Sequence, residues 1–148
     1  MLDIYETANP LTAYTVSGEF TNPFSCAFDG VAGEVVERRV YLRNDDPLYF
    51  YENITVQPVD GGDSIVDGSG VTEGYSWKLS EGDQQPGEEE WSYIDTGNEI
   101  NFDDLGSLAL PDISTYLPFW VRVEVPKGAP VESFKNVYLR ITFDETEA

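Results

Sequence analysis

Apolar and polar positions alternate along several stretches of this chain, and that alternation predicts strands. In EVVERRVYLRN, Val36, Val40 and Leu42 share one face while Glu37, Arg39, Tyr41 and Arg43 share the other. In LYFYENITVQPVD, Phe50, Ile54 and Val56 take the inward parity, and Tyr51, Asn53, Thr55 and Gln57 the outward one. Pro58 limits how far this strand can pair centrally, because proline has no N–H to donate. In YLPFWVRVEVP, Leu117, Phe119, Val121, Val123 and Val125 share a face; in NVYLRITFDE so do Val137, Leu139, Ile141 and Phe143. The loop PKGAPVES joins these two runs, so they are expected to close an antiparallel hairpin with Val125 facing Val137 and Phe119 facing Phe143. PFSCAFDG, from Pro23 to Gly30, and GYSWKLS, around Trp77, read as further strands. DGGDSIVDGSG, from Asp60 to Gly70, reads as a loop.

Helix is predicted in one place only. In PGEEEW, Pro86 suits a first helical position, and Glu88, Glu89 and Glu90 suit the positive end of the helix dipole. Trp91 and Ile94 are three apart and can pack inward together. Seven or eight strands at these spacings, with one short helical turn, predict an all-β fold of the immunoglobulin-like β-sandwich type. Residues 1–19 are polar and lack sustained alternation. They are expected to form an N-terminal arm, frayed or docked, ahead of a sandwich domain over 20–148.

Charge narrows the function. The 148 residues include 28 acidic and 8 basic side chains and no histidine, for a formal net charge of −20. A field of that sign repels phosphates, so neither nucleic acid nor an anionic membrane is an expected partner. Without imidazole, histidine-based triads and zinc sites are excluded, and the single Cys26 cannot form a disulfide within the chain. The opening MLDIYETANP has neither the basic nor the apolar part of an export signal, so synthesis in a cytoplasm is expected.

Catalytic readings find little support. Glu88, Glu89 and Glu90 could be cast as a glycosidase acid and base, but three consecutive glutamates at a helix start are more simply a solvated face matched to the dipole. Asp60, Asp63 and Asp67 share a glycine-rich loop, and Asp103 and Asp104 lie near a strand end, but the spacing of a known calcium loop is missing. Ser25 has no base beside it, Cys26 reads as a small buried hydrophobe, and the sequon Asn53-Ile54-Thr55 falls within a strand. No catalytic residue, metal or cofactor is expected.

A binding face is the better candidate. The hairpin parity turns Trp120, Arg122 and Glu124 outward on one strand, and Tyr138, Arg140 and Thr142 outward on the next, with Tyr51 and Gln57 alongside. The same register sets Arg122 opposite Arg140, a like-charge pair that needs acidic groups to answer it. Tryptophan, tyrosine and arginine are the side chains of interface anchors, so Tyr51, Trp120, Arg122, Tyr138 and Arg140 form the expected partner interface. The alternative is a face covered by the chain's own loops, with Trp120 in a second small core.

RVYLRNDD, NITVQPVD, a tryptophan-bearing strand, VEVPKGAP and NVYLRITF, spread from about Val35 to Phe143, together resemble the immunoglobulin-like domains of bacterial surface proteins and tailed-phage virions. The combination of YSWKLSEGD, PGEEEW and YLPFWVRVEVP also resembles a group of small structural proteins of tailed bacteriophages. That resemblance implies a non-enzymatic virion protein, a capsid decoration or other accessory shell component. It would dock on the major capsid protein and form a homo-oligomer in the particle. A tail or baseplate component, or a carbohydrate-binding module that stacks sugars on exposed tryptophan and tyrosine, are the alternatives.

Overall fold

The computed structural model describes residues 2–5, 15–16, 19–20, 34–60, 76–94, 99–125 and 137–148. In chain order the strands are β1 (Leu2–Tyr5), β2 (Thr15–Val16), β3 (Glu19–Phe20), β4 (Glu34–Asn44), β5 (Tyr49–Asp60) and β6 (Ser76–Glu81). They continue with β7 (Ile100–Asn101), β8 (Gly106–Ser107), β9 (Leu110–Pro111), β10 (Leu117–Val125) and β11 (Val137–Glu147). A 3-10 helix over Glu88–Ile94 separates β6 from β7. This helix is the one that PGEEEW predicts. The predicted strand at Pro23–Gly30 lies outside the described residues.

The fold is all-β and its sheets are antiparallel. The larger sheet has the order β1-β4-β10-β6 and the smaller β11-β5-β7; β2–β3 and β8–β9 are separate two-stranded ribbons. Both sheets feed one core. Val40, Leu42, Leu79, Phe119, Val121 and Val123 come from the larger, and Tyr51, Ile54, Val56, Ile100 and Leu139 from the smaller. The alternation read along β4 and β10 is the cause: with Phe119 beside Val40 and Leu117 beside Leu42, each pairing lines apolar side chains up on the inner face. Leu2–Tyr5, at the start of the expected arm, is a buried strand paired with β4, Ile4 beside Leu42.

The expected hairpin does not form. β10 lies between β4 and β6, whereas β11 pairs with β5, with Ile141 beside Val56 and Arg140 beside Gln57. The matched apolar parities of β10 and β11 are satisfied across the core, where Val121 and Leu139 belong to one cluster, and not along a shared edge. Parity fixes which face is buried; it does not choose the neighbouring strand.

Tyr51, expected outward, is fully buried. The cause is a bulge. The β5–β11 register shifts between Thr142 and Asp144, and Asn53 within β5 has a φ of 50°. One extra residue on β5 reverses the alternation beyond it, so Tyr51 joins Ile54 and Val56 on the inner face. Phe50, expected inward, is buried outside the main core cluster. There the β8–β9 ribbon closes over it. A Cβ on Gly106, whose φ is 98°, would stand 2.9 Å from the Phe50 Cβ and 2.5 Å from the Leu110 carbonyl oxygen. Gly106→Ala is therefore expected to lower the urea midpoint by the equivalent of about 1–3 kcal/mol. Gly82→Ala, at a φ of 97° with nothing within 4 Å, should show the smaller backbone effect alone.

Candidate functional site

Arg122 stands at the centre of the strongest charge cluster. It projects from the outer face of β10 with Glu37 beside it on β4 and Lys78 on β6, so one acidic and two basic side chains stand in a row across the three strands. The 3-10 helix covers this row. Its first turn is set by the Gly87 N–H donating to the Glu90 carboxylate at 2.8 Å, and Pro86 and Trp91 are buried. Trp91 and Glu88 then meet the guanidinium from above: Arg122 donates to both Glu88 oxygens, at 3.0 and 3.3 Å, and lies 5.5 Å from the Trp91 ring centroid. Glu124 and Glu37 approach its Nε at 2.9 and 3.7 Å. Neither is aligned for a hydrogen bond, so Nε is held by Coulomb attraction only.

This arrangement tunes charge without exposing it. Arg122 retains 6% of its surface. Burial alone would favour the neutral form, but Glu88, Glu124 and Glu37 outweigh it and raise the arginine pKa further. The hydrogen bonds from Arg122 hold the Glu88 carboxyl below the usual carboxylate range. A guanidinium so enclosed is a structural tie. The outward direction expected of Arg122 is correct, and the face there is covered by the chain itself.

The five expected interface residues do not share a surface. Trp120 is half-buried on the outer face of β10, where its Nε1 donates to the Asp83 carbonyl at 3.3 Å. Asp83 also pairs with Arg39 at 3.0 Å. Tyr51 is in the core, where its hydroxyl donates to Glu145 at 2.6 Å and its ring meets Phe143 edge-on at 5.1 Å. Burial first, and the bond to Glu145 second, push its phenol pKa well up. Arg140 lies on the other sheet, so its expected opposition to Arg122 is replaced by Gln57. Tyr138 is in register with Val59 on that sheet; its side chain lies outside the described residues.

Of the acidic groups weighed for catalysis, Glu88 is committed to Arg122; of those weighed for calcium, Asp103 and Asp104 are exposed. Asp63, Asp67, Ser25 and Cys26 lie outside the described residues. Asn53 serves the bulge, its amide donating to the Asp144 carboxylate at 2.7 Å.

One exposed apolar tip carries no alternation in its sequence. The β8–β9 ribbon turns through Leu108 and Ala109; Leu108 is 76% and Leu110 69% exposed, and Ala109 adopts a φ of 65°. The segment after it is anchored: Arg43 donates to the Ile113 carbonyl at 3.0 Å and to the Tyr116 hydroxyl at 2.7 Å. Asp112 accepts from the Ser114 N–H at 2.9 Å, and its bonds to Thr115 and Ser114 keep its pKa low. A firmly held turn thus presents leucines to solvent with Asp112 ionised beside them. Three consecutive small or apolar residues between Ser107 and Pro111 were the available signal, but LAL is too short to show a period. The chain matches no known family model, no curated protein and no solved structure.

Proposed function

We propose that this chain is a non-enzymatic structural protein of a tailed-phage virion, a capsid decoration or other accessory shell component. The resemblance of its strand motifs to such proteins motivates the reading, and the observation that carries it is the exposed Leu108–Leu110 turn, followed by a segment that Arg43 and Asp112 anchor. Exposed apolar side chains on a held turn, with polar groups beside them, have the composition of a docking point for a pocket on a shell subunit. The body behind that turn is read as an immunoglobulin-like sandwich. In support, the order β1-β4-β10-β6 follows the A-B-E-D sheet of that fold, and β5 and β11 stand where strands C and F pair. Trp120, still part-exposed, is a second contact; Tyr51 and Arg122 leave the interface because the chain uses them internally.

The test is particle occupancy. Mass spectrometry of purified virions should find the wild-type chain, and Leu108→Ser with Leu110→Ser should reduce its occupancy at least tenfold with an unchanged melting temperature. Absence of the wild-type chain from virions would overturn the reading. Binding of the purified chain to arrayed glycans through Trp120 would favour the carbohydrate-binding alternative.

A further inference from the structure

The longest strand at a sheet edge is β11. It has eleven residues, against four in β1, six in β6 and two in β7, and among the described residues its only paired neighbour is β5. An extended edge offers every second N–H and carbonyl to another chain, and proteins guard such edges with charge. The guard here is uneven. Asp144, Glu145 and Glu147 occupy the last four positions, whereas Leu139 to Phe143 contain one charge, Arg140.

That asymmetry is self-complementary. Laid antiparallel on a copy of itself with Thr142 at the two-fold axis, β11 sets Arg140 opposite Asp144 and Ile141 opposite Phe143, each twice. Opposite charges and β-branched–aromatic pairs are both favourable across strands. The apolar inner face continues through the two central pairs, where Ile141 and Phe143 pack against the core, and ends at Leu139, which meets Glu145. We infer that two copies of this chain associate edge to edge through β11 in this register, joining their smaller sheets into one continuous sheet. Arg140 already has an interaction within its own chain and Asp144 accepts from the Asn53 amide at 2.7 Å, so the new pair is an exchange on both sides. Two-fold symmetry pairs the two β11 edges with each other, which makes the contact closed and not propagating. This inference rests on topology and charge order and is independent of the shell reading.

The experiment uses the purified full chain in sedimentation velocity over a concentration series at physiological salt. The wild type is expected to dimerise. Arg140→Asp places acid against acid at two positions and should weaken the dimer about tenfold or more. Asp144→Arg alone should weaken it similarly, and the combined Arg140→Asp, Asp144→Arg chain should recover most of the loss. Independently, in a Cys26→Ser background, Thr142→Cys should oxidise to a covalent dimer, because paired antiparallel Cα atoms lie within disulfide reach. Thr55→Cys, on β5 one strand inside the edge, should not. A concentration-independent monomer overturns the inference, as does a combined variant no better than the singles or a Thr142→Cys chain that stays uncross-linked. Circular dichroism on each variant separates lost association from lost fold, and the Thr142→Cys test retains both charges.

Discussion

Val121→Asp should leave this protein without its cooperative unfolding transition. Val121 is fully buried on β10, the strand flanked on both sides in the larger sheet, and it packs in the cluster that also holds Leu139 from the smaller sheet. An aspartate there would be ionised with no partner, or protonated with its hydroxyl and carbonyl unbonded; either costs about 4 kcal/mol or more. Domains of this size are stable by roughly 5–15 kcal/mol, so much or all of the margin would go. Leu139→Asp should fail in the same way, because one core serves both sheets. Thr142→Asp, on the exposed parity of β11, should retain the fold and is the control. Near-ultraviolet circular dichroism and amide proton dispersion distinguish the outcomes. A folded Val121→Asp chain would contradict the register of β10.

Arg122→Ala is the second large effect expected. It deletes the cation that Glu37, Glu88 and Glu124 share and leaves their charges to repel one another beneath the 3-10 helix. Removing one member of a buried ionic cluster typically costs about 3–5 kcal/mol, and the part-exposure of the glutamates puts this case at about 3 kcal/mol. Arg122→Lys should lie between, since an ammonium keeps the charge but cannot reach both Glu88 oxygens in a fork. The pH dependence supplies a sign. A carboxylate whose pKa is lowered by folding contributes stability above its unfolded pKa and loses it as pH falls through the folded value. The gap between wild type and Arg122→Ala should therefore be widest near neutrality and narrow under acid. Urea midpoints across pH read this directly. A gap that widens in acid would show that packing against Trp91, and not the ion pairs, is what the arginine supplies.

The inner face was largely legible from the residues. Val40, Leu42, Ile54, Val56, Phe119, Val121, Val123 and Leu139 are buried as alternation requires, because a period of two transmits through any regular strand. It failed where a strand is irregular. Nothing in YFYEN states that Asn53 takes a left-handed conformation, although asparagine tolerates it better than most residues, and that single angle moved Tyr51 from the expected interface into the core. Pairing was the other blind spot. Sequence adjacency argued for β10 beside β11, and the two strands instead belong to different sheets. The Arg122 cluster was half visible. Three glutamates were correctly placed at a helix start, but which cation they would meet depended on packing between distant segments.

The order of strands in the larger sheet has a consequence for how the chain comes to be folded. β4 lies in the first third of the chain, and its central neighbour β10 is in the last third. No early segment can complete this sheet alone, so the search is dominated by distant pairings, which places folding in the range of about milliseconds to seconds. During synthesis the wait is longer. At about 5–20 residues per second, Val40 and Leu42 emerge on the order of 4–16 s before their partners on β10. Throughout that interval an apolar strand waits without its mate among other nascent chains. The acidic residues already present lend the growing polypeptide a strong like-charge repulsion against its neighbours. The acidity of the sequence thus acts before there is any folded surface, by keeping unfinished copies apart until β10 arrives.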